Sequence, residues 1–260
     1  MGLKLDKISY QDKIKNISYE FDEGKITAVL ASSGGGKTLL SYLISGIEKP
    51  TDGQIINTYE GRNIGYVFQN AEESFIFGTV REEILFGLRR YNYKVDNQIQ
   101  RIEDSLKIVG LPTEYLNRSP FELSSGEKVL LSIAVQLALN PKLLLIDEPT
   151  VYLDNKREDY LIKLLKRLKK NYNKTIIIFT SDIEFALKLS DNYMLLRNGK
   201  TISIGSNKEL LKDSDKIKKA GLKIPEIMEF VNNVKKKKGI ELESTYDIKE
   251  LMKDIYRNVK

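Results

Sequence analysis

The sequence predicts an α/β fold built on a mainly parallel sheet. Three observations carry that prediction. Short, wholly apolar runs such as Leu143 to Ile146 and Ile176 to Phe179 have the length of strands buried on both faces. Between such runs lie segments with apolar residues at helical spacing, for example Leu161, Leu164, Leu165 and Leu168. One apolar strand, Lys25 to Ala31, also passes through a glycine-rich loop straight into a helical segment, Leu39 to Ile47, the order a phosphate-binding loop requires.

Two β-type runs open the chain, Leu3 to Tyr10 and Lys15 to Phe21, joined by a turn at Gln11-Asp12-Lys13. Beyond the glycine loop and its helix, Asn63 to Phe68 reads as a further strand. Residues 72–121 change character: helices are predicted over Thr79 to Leu88 and Asp96 to Val109, with polar joints, as in a helical insertion. An apolar-periodic helix from Ser124 to Leu139 is stopped by Pro141 and leads into the strand Leu143 to Ile146. A helix over Lys156 to Lys170 and a strand over Thr175 to Phe179 follow. Short strands at Tyr193 to Leu196 and Thr201 to Ile204 bracket the turn Arg197-Asn198-Gly199-Lys200. The expected division is one domain over 1–220 and a C-terminal helical extension over 221–260.

The 260 residues, 41% hydrophobic and 30% charged, suffice for a sizeable core. No apolar run reaches the roughly 18 residues of a membrane-spanning helix. The opening Met-Gly-Leu-Lys-Leu-Asp-Lys lacks the apolar centre of a signal peptide, so a cytoplasmic placement is expected. The absence of cysteine excludes disulfides and thiolate chemistry, and the absence of histidine removes the commonest general base near neutral pH. Residues 201–260 hold 14 Lys/Arg against 10 Asp/Glu, so +4 of the net +6 lies in the tail. That suits an acidic partner or an anionic membrane surface, and is too mild to argue for nucleic acid.

Ser33-Gly34-Gly35-Gly36-Lys37-Thr38 carries the first chemistry. Glycines let consecutive backbone N–H groups converge on phosphate oxygens, and the following helix adds the positive end of its dipole. Lys37 is placed to bridge β- and γ-phosphates, the Thr38 hydroxyl to ligate Mg2+, and Leu39 to continue the cradle. Ala31 stands where the full pattern has glycine. A glycine-rich turn without a ligand is the alternative; Gly-Lys-Thr after an apolar strand favours ATP or GTP. The second chemistry lies at Asp147-Glu148. Two carboxylates at a buried strand end are costly unless a cation or a reaction uses them. Asp147 is expected to hold Mg2+ through water, and Glu148 to act as general base on the attacking water.

With these motifs in this order, the chain resembles the ATP-binding-cassette (ABC) family of P-loop NTPases over nearly its whole length. The resemblance implies an ABC-type nucleotide-binding domain: a mainly parallel sheet, an antiparallel β subdomain, a helical subdomain at about 72–121 and a C-terminal helical extension. It implies that Gln69 touches Mg2+ and water, and that Leu123-Ser124-Ser125-Gly126-Glu127 is the signature whose amides and Ser124 cap the γ-phosphate held by a second subunit. Leu153-Asp154 then matches the loop that contacts the opposite subunit, and Tyr10 the aromatic that stacks on adenine. A simple helix N-cap at Ser124, a packed strand tyrosine and an ordinary loop glutamine remain the plainer readings of Ser124, Tyr10 and Gln69.

Three positions depart from the family pattern. Ser181 replaces a histidine that contacts the γ-phosphate, and losing one such contact typically lowers the rate on the order of 10²–10³-fold. Ser125 replaces a signature glycine, and Glu127 replaces glutamine and adds negative charge. A homodimer would repeat each departure in both sites, so a heterodimer with a different ATPase subunit is expected. The tail, from Gly221-Leu222-Lys223-Ile224-Pro225-Glu226 to Asp247-Ile248-Lys249-Glu250-Leu251, is similar to that of energy-coupling-factor (ECF) ATPases, as are Gln69-Asn70, Phe75 to Val80 and Glu82-Glu83. Phe75 and Phe77 either offer an apolar groove to a membrane subunit or belong to the core. Lys235 to Lys238 reads as a solvated helix end rather than a lipid contact. The resemblance thus implies an ATPase at the cytoplasmic face of the membrane. Its partners would be a second ATPase subunit, a transmembrane coupling subunit and a substrate-binding membrane subunit, with no nucleic acid. Two alternatives stand beside it: a catalytically weak regulatory subunit, and a non-transport ABC ATPase. The interval Leu39 to Glu122 is too short for the coiled coil of repair members.

Overall fold

The computed structural model describes residues 2–59, 63–212, 214–238, 251–253 and 255–256. In chain order its elements are β1 (Leu3–Tyr10), β2 (Ile14–Phe21), β3 (Ile26–Leu30), α1 (Lys37–Ser45), β4 (Asp52–Asn57), β5 (Ile64–Val67), α2 (Val80–Arg90), α3 (Val95–Val109) and α4 (Ser125–Ala138). There follow β6 (Leu143–Asp147), α5 (Asn155–Tyr172), β7 (Thr175–Thr180), α6 (Ile183–Leu189), β8 (Asn192–Arg197), β9 (Lys200–Ser206), α7 (Asn207–Leu210), α8 (Ser214–Lys219) and α9 (Glu226–Lys238). The large sheet runs β5-β6-β7-β3-β8-β9, parallel except for β9, and a small antiparallel sheet runs β2-β1-β4.

Every residue of β3, β6 and β7 is buried, which is why these strands read as unbroken apolar runs. Their register sets Asp147 beside Phe179 and Leu30 beside Thr180, so three strands end at one level. Strand β4 has no counterpart among the strands expected from sequence. It is an edge strand that begins Asp-Gly-Gln and is largely exposed, so apolar alternation is too weak to announce it. Three cores result. One lies between the large sheet and α2 to α5, with Ile84, Leu106, Leu131, Leu144 and Leu165. A second fills the space between the sheets around α1, with Leu5, Ile17, Val29, Leu43 and Phe179. The third covers the opposite face with Leu30, Leu187, Tyr193 and Ile217, and it takes in Leu222, Ile224 and Met228. Residues 222–228 are therefore packed onto the large sheet through this third core. Asp247 to Glu250 and the side chains of Lys235, Lys236 and Lys238 lie outside the described residues.

The C-terminal end of α4 gathers donors from three elements. Arg101 donates to the Ala138 carbonyl (3.0 Å), Tyr93 to that of Leu139 (3.1 Å), and Lys174 to Asn140 Oδ1 (2.6 Å) and to the Pro141 carbonyl. Cations and donors here meet the negative end of the helix and its unpaired carbonyls.

The β8–β9 turn locks the small sheet to the glycine loop. The Gly199 amide donates to the Gly35 carbonyl (3.2 Å), while its own carbonyl accepts from the Lys15 amide (2.9 Å). Gly199 has φ 71°, and a Cβ there would lie 1.7 Å from the Lys13 carbonyl oxygen. Both the conformation and the space exclude a side chain. Gly199→Ala is expected to destabilise the chain by about 2–4 kcal/mol, read as a lowered urea midpoint with an unchanged slope.

Candidate active site

The glycine loop closes on itself where β3 ends. The Gly35 amide donates to the Ser32 carbonyl (3.0 Å), and Gly36, at φ 104°, is the N-cap of α1 with no side chain covering the free amides. A Cβ on Gly35 would lie 2.6 Å from Cβ of Ala31 and 2.9 Å from the Ser32 carbonyl oxygen. Ala31 therefore fits where the pattern has glycine only because residue 35 carries no side chain. The Lys37 ammonium is buried, with 6% of the residue exposed. It donates to the carbonyls of Ala31 (2.7 Å) and Ser32 (3.2 Å), and its third contact is Glu148 Oε1 at 3.1 Å. Three acceptors use all three of its protons.

Glu148 is held just as firmly. Its amide donates to the Phe179 carbonyl (2.8 Å) at a positive φ of 42°. Its Oε2 accepts from the Thr180 hydroxyl (3.0 Å) and the Ser181 amide (3.2 Å). One carboxylate oxygen is thus anchored on the end of β7, and the other faces Lys37 and the cleft. A triphosphate that drew Lys37 to its oxygens would leave Oε1 without its cation partner. Asp147 is almost fully buried, and its Oδ1 has no hydrogen-bond partner among the described residues. Burial pushes its carboxyl up to about 6, and the neighbouring Glu148 pushes the same way. A hydrogen bond from Thr38 and the charge of Lys37 oppose them. An orphaned carboxylate oxygen on a side chain that takes a hydrogen bond from the Thr38 hydroxyl makes a set of hard oxygen donors, and it suits Mg2+. The ion, when bound, neutralises phosphate charge.

Lys37 and Glu148 face a cleft of about 470 Å³, whose lining does not include Asp147. Ser33, Gly34, Gly36, Lys37, Thr38, Leu39, Gln69, Glu148 and Ser181, all singled out from sequence, line it. So do Asp12, Lys13, Lys15 and Asn198, which were not. They come from the β1–β2 turn, the start of β2 and the β8–β9 turn, far apart in sequence; paired lysines at a turn were the only signal for them. Thr180 was missed too, because a threonine ending a strand carries no chemical pattern. Gly35 turns its carbonyl away to Gly199. Tyr10 is not among the lining residues: its hydroxyl donates to Glu48 (2.9 Å) and its ring packs against the second core. Ser124, Ser125, Gly126 and Asp154 lie outside the cleft as well. Ser124 and Asp154 are the N-caps of α4 and α5, and Arg157 joins the two turns. Of the two phenylalanines, Phe75 is core and packs edge-on against Phe121, while Phe77 packs on Phe86. The exposed apolar surface here belongs instead to Ile76, Phe86 and Phe121, with the Ile76 and Phe77 amides tied to Glu83.

The sequence profile of the ABC transporter family matches residues 14–151, more than half of the chain. The chain belongs to the ABC transporter family. It is 33% identical over 268 residues to the energy-coupling factor transporter ATP-binding protein EcfA1 of Ligilactobacillus salivarius, covering 97% of this chain and 94% of that protein. It is 30% identical over 259 residues to EcfA of Methanocaldococcus jannaschii, covering 95% and 92%. Among solved structures, cbiO1 of Clostridium perfringens, part of the ABC transporter complex cbiONQ, superimposes with a TM-score of 0.75 at 29% identity over 88% of this chain and 98% of that one. An ATP-binding cassette solved as a dimer in a post-hydrolysis state with ADP and Pi superimposes with a TM-score of 0.71 at 26% identity, over 79% and 98%. As an ABC ATPase the chain binds and hydrolyses ATP. No helix among its described residues is long and apolar enough to cross a membrane.

Two predictions follow from the geometry. Without nucleotide or metal, folded Asp147 keeps its proton up to about pH 6, whereas an unfolded aspartate loses it near 3.8. Stability therefore falls as pH climbs through that window, because the folded state holds the extra proton. Asp147→Asn should be more stable than the parent by about 1–3 kcal/mol at pH 7.5 in a chelator, and the gain should vanish near pH 4 in urea titrations. Thr180→Val should leave ATP affinity intact and lower kcat about tenfold, since it unties Glu148 and touches no phosphate.

Proposed function

We propose that the chain is the ATP-hydrolysing subunit of an energy-coupling-factor importer for vitamins or metal ions, working at the cytoplasmic face of the membrane. The observation that carries the mechanism is Glu148, anchored by Thr180 and Ser181 on one oxygen and paired with the phosphate-loop Lys37 on the other. In this reading Mg·ATP lies on the glycine loop with Thr38, Gln69 and Asp147 toward the metal. Tyr10 then borders the adenine, and Ser124, Ser125, Gly126 and Asp154 of a second cassette close over the γ-phosphate. Ser181 offers the γ-phosphate a hydroxyl in place of an imidazole. The firmly held general base favours turnover over a purely regulatory role.

The ECF assignment draws on the similarity to EcfA1, which covers 97% of the chain and so includes the extension. Exposed Ile76, Phe86 and Phe121 offer the apolar surface a transmembrane coupling subunit needs, with a substrate-binding membrane subunit completing the assembly. The departures at Ser125, Glu127 and Ser181 favour a different ATPase subunit as partner, so that each composite site meets them on one side only.

Lys37→Ala should abolish nucleotide binding, and Glu148→Gln should retain ATP and accumulate a closed dimer, seen by gel filtration with and without ATP. A Glu148→Gln chain hydrolysing at the parental rate would remove Glu148 from its role. Purification of the tagged chain from membranes should bring a second cassette and integral membrane subunits. Recovery of the chain alone, fully active as a homodimer, would overturn the partner assignment.

A further inference from the structure

The turn that opens α4 contains a contradiction. Glu127, in its first turn, accepts from the Ser124 amide (2.9 Å), the Ser124 hydroxyl (2.6 Å) and the Tyr115 hydroxyl (3.1 Å). These bonds, led by that from the Ser124 hydroxyl, hold its carboxyl below the usual range, so it is ionised at neutral pH. A full negative charge therefore sits in the turn that is to receive a phosphate. The proton of Ser124 is committed to that charge and is not offered outward. Both facts oppose anion binding.

Arg157 stands against this turn. It comes from the first turn of α5, and one terminal nitrogen donates to Ser124 Oγ at 3.2 Å. Its Cδ lies 2.4 Å from where a Cβ on Gly126 would be, so the side chain runs flat along the turn. Helix stability does not account for it: a cation in the first turn works against the dipole of α5, and Asp154 already caps that helix through the Arg157 amide (2.8 Å). Its nearest approach to the Asp154 carboxylate is 3.8 Å, and 42% of its side chain is exposed, which leaves guanidinium donors unused.

We infer that Arg157 is a phosphate-contacting residue acting in trans: it neutralises Glu127 and gives the γ-phosphate on the opposing cassette the donor that Ser124 has surrendered. A guanidinium suits this task because its fork reaches the Ser124 oxygen and a phosphate oxygen together. The inference rests on the reading that the turn 124–126 closes over a nucleotide held by a second cassette.

The test uses the Glu148→Gln chain with the cassette that co-purifies with it, or with a second copy of itself, and follows ATP-dependent closure by light scattering. Adding Arg157→Ala should raise the ATP concentration for half-closure by about tenfold or more, and Arg157→Lys by less. Binding of a fluorescent ATP analogue to the dilute, open chain should not change, since that site holds no Arg157. Adding Glu127→Gln to Arg157→Ala should recover most of the loss, which a residue of merely structural importance would not allow. Closure of Arg157→Ala at the parental ATP concentration would overturn the inference, as would a double variant no better than the single one. Failure of the Glu148→Gln chain to close while Arg157 is intact would instead bring down the sandwich reading, and the inference with it.

Discussion

The buried pairing of Lys37 with Glu148 governs the rest of this site. An ammonium and a carboxylate withdrawn from water to this degree lose several kcal/mol of hydration each, and only good geometry offsets that loss. The geometry comes from three strand ends held in register: β3 delivers the glycine loop, β6 the two acids, and β7, lying between them, Thr180 and Ser181. Among the described residues neither charge has a second ion pair, and the adjacent Asp147 has an oxygen left without a donor. The pair is thus satisfied within the protein, and a phosphate with its cation would replace one internal contact with stronger ones. ABC membership supplies the ATP, and in the proposed reading both strand ends are built around it.

Much of this was legible in the chain because two strong signals coincided. Wholly apolar strands marked the buried parallel sheet, and Gly34 to Thr38 and Asp147-Glu148 fell at the ends of two of them, where ligands of such sheets bind. What stayed hidden has physical reasons. Edge strand β4 is largely exposed and has no clean alternation. The lysines of the β1–β2 turn and Asn198 reach the cleft only through the pairing of distant segments, which no local pattern encodes. Thr180 contributes one hydroxyl and no charge. Of the two readings of Phe75 and Phe77, groove or core, Phe75 takes the core and Phe77 is half-buried, while the exposed apolar side chains are Ile76, Phe86 and Phe121, because burial of neighbouring aromatic residues depends on how the helices pack.

The signature-like turn shows how one substitution changes a neighbourhood. A glutamine at 127 would be neutral; a glutamate recruits the Ser124 proton, the Tyr115 hydroxyl and the field of Arg157. The result is a self-satisfied capping box, which stabilises α4 while hiding a donor. Stability of the helix and readiness to meet a phosphate are in competition at this one position, and the basic side chain from α5 lies where the two demands meet.

The tip of a β-hairpin is ordinarily the place where a chain accepts an affinity tag, a reporter insertion or new termini. Gly199 denies that freedom here, since Lys13 and Gly35 enclose it from two sides. Anyone labelling this protein at 198–199 would be prying apart the floor of the nucleotide pocket. The exposed face of α5, at Lys163, is the safer choice for a fluorophore.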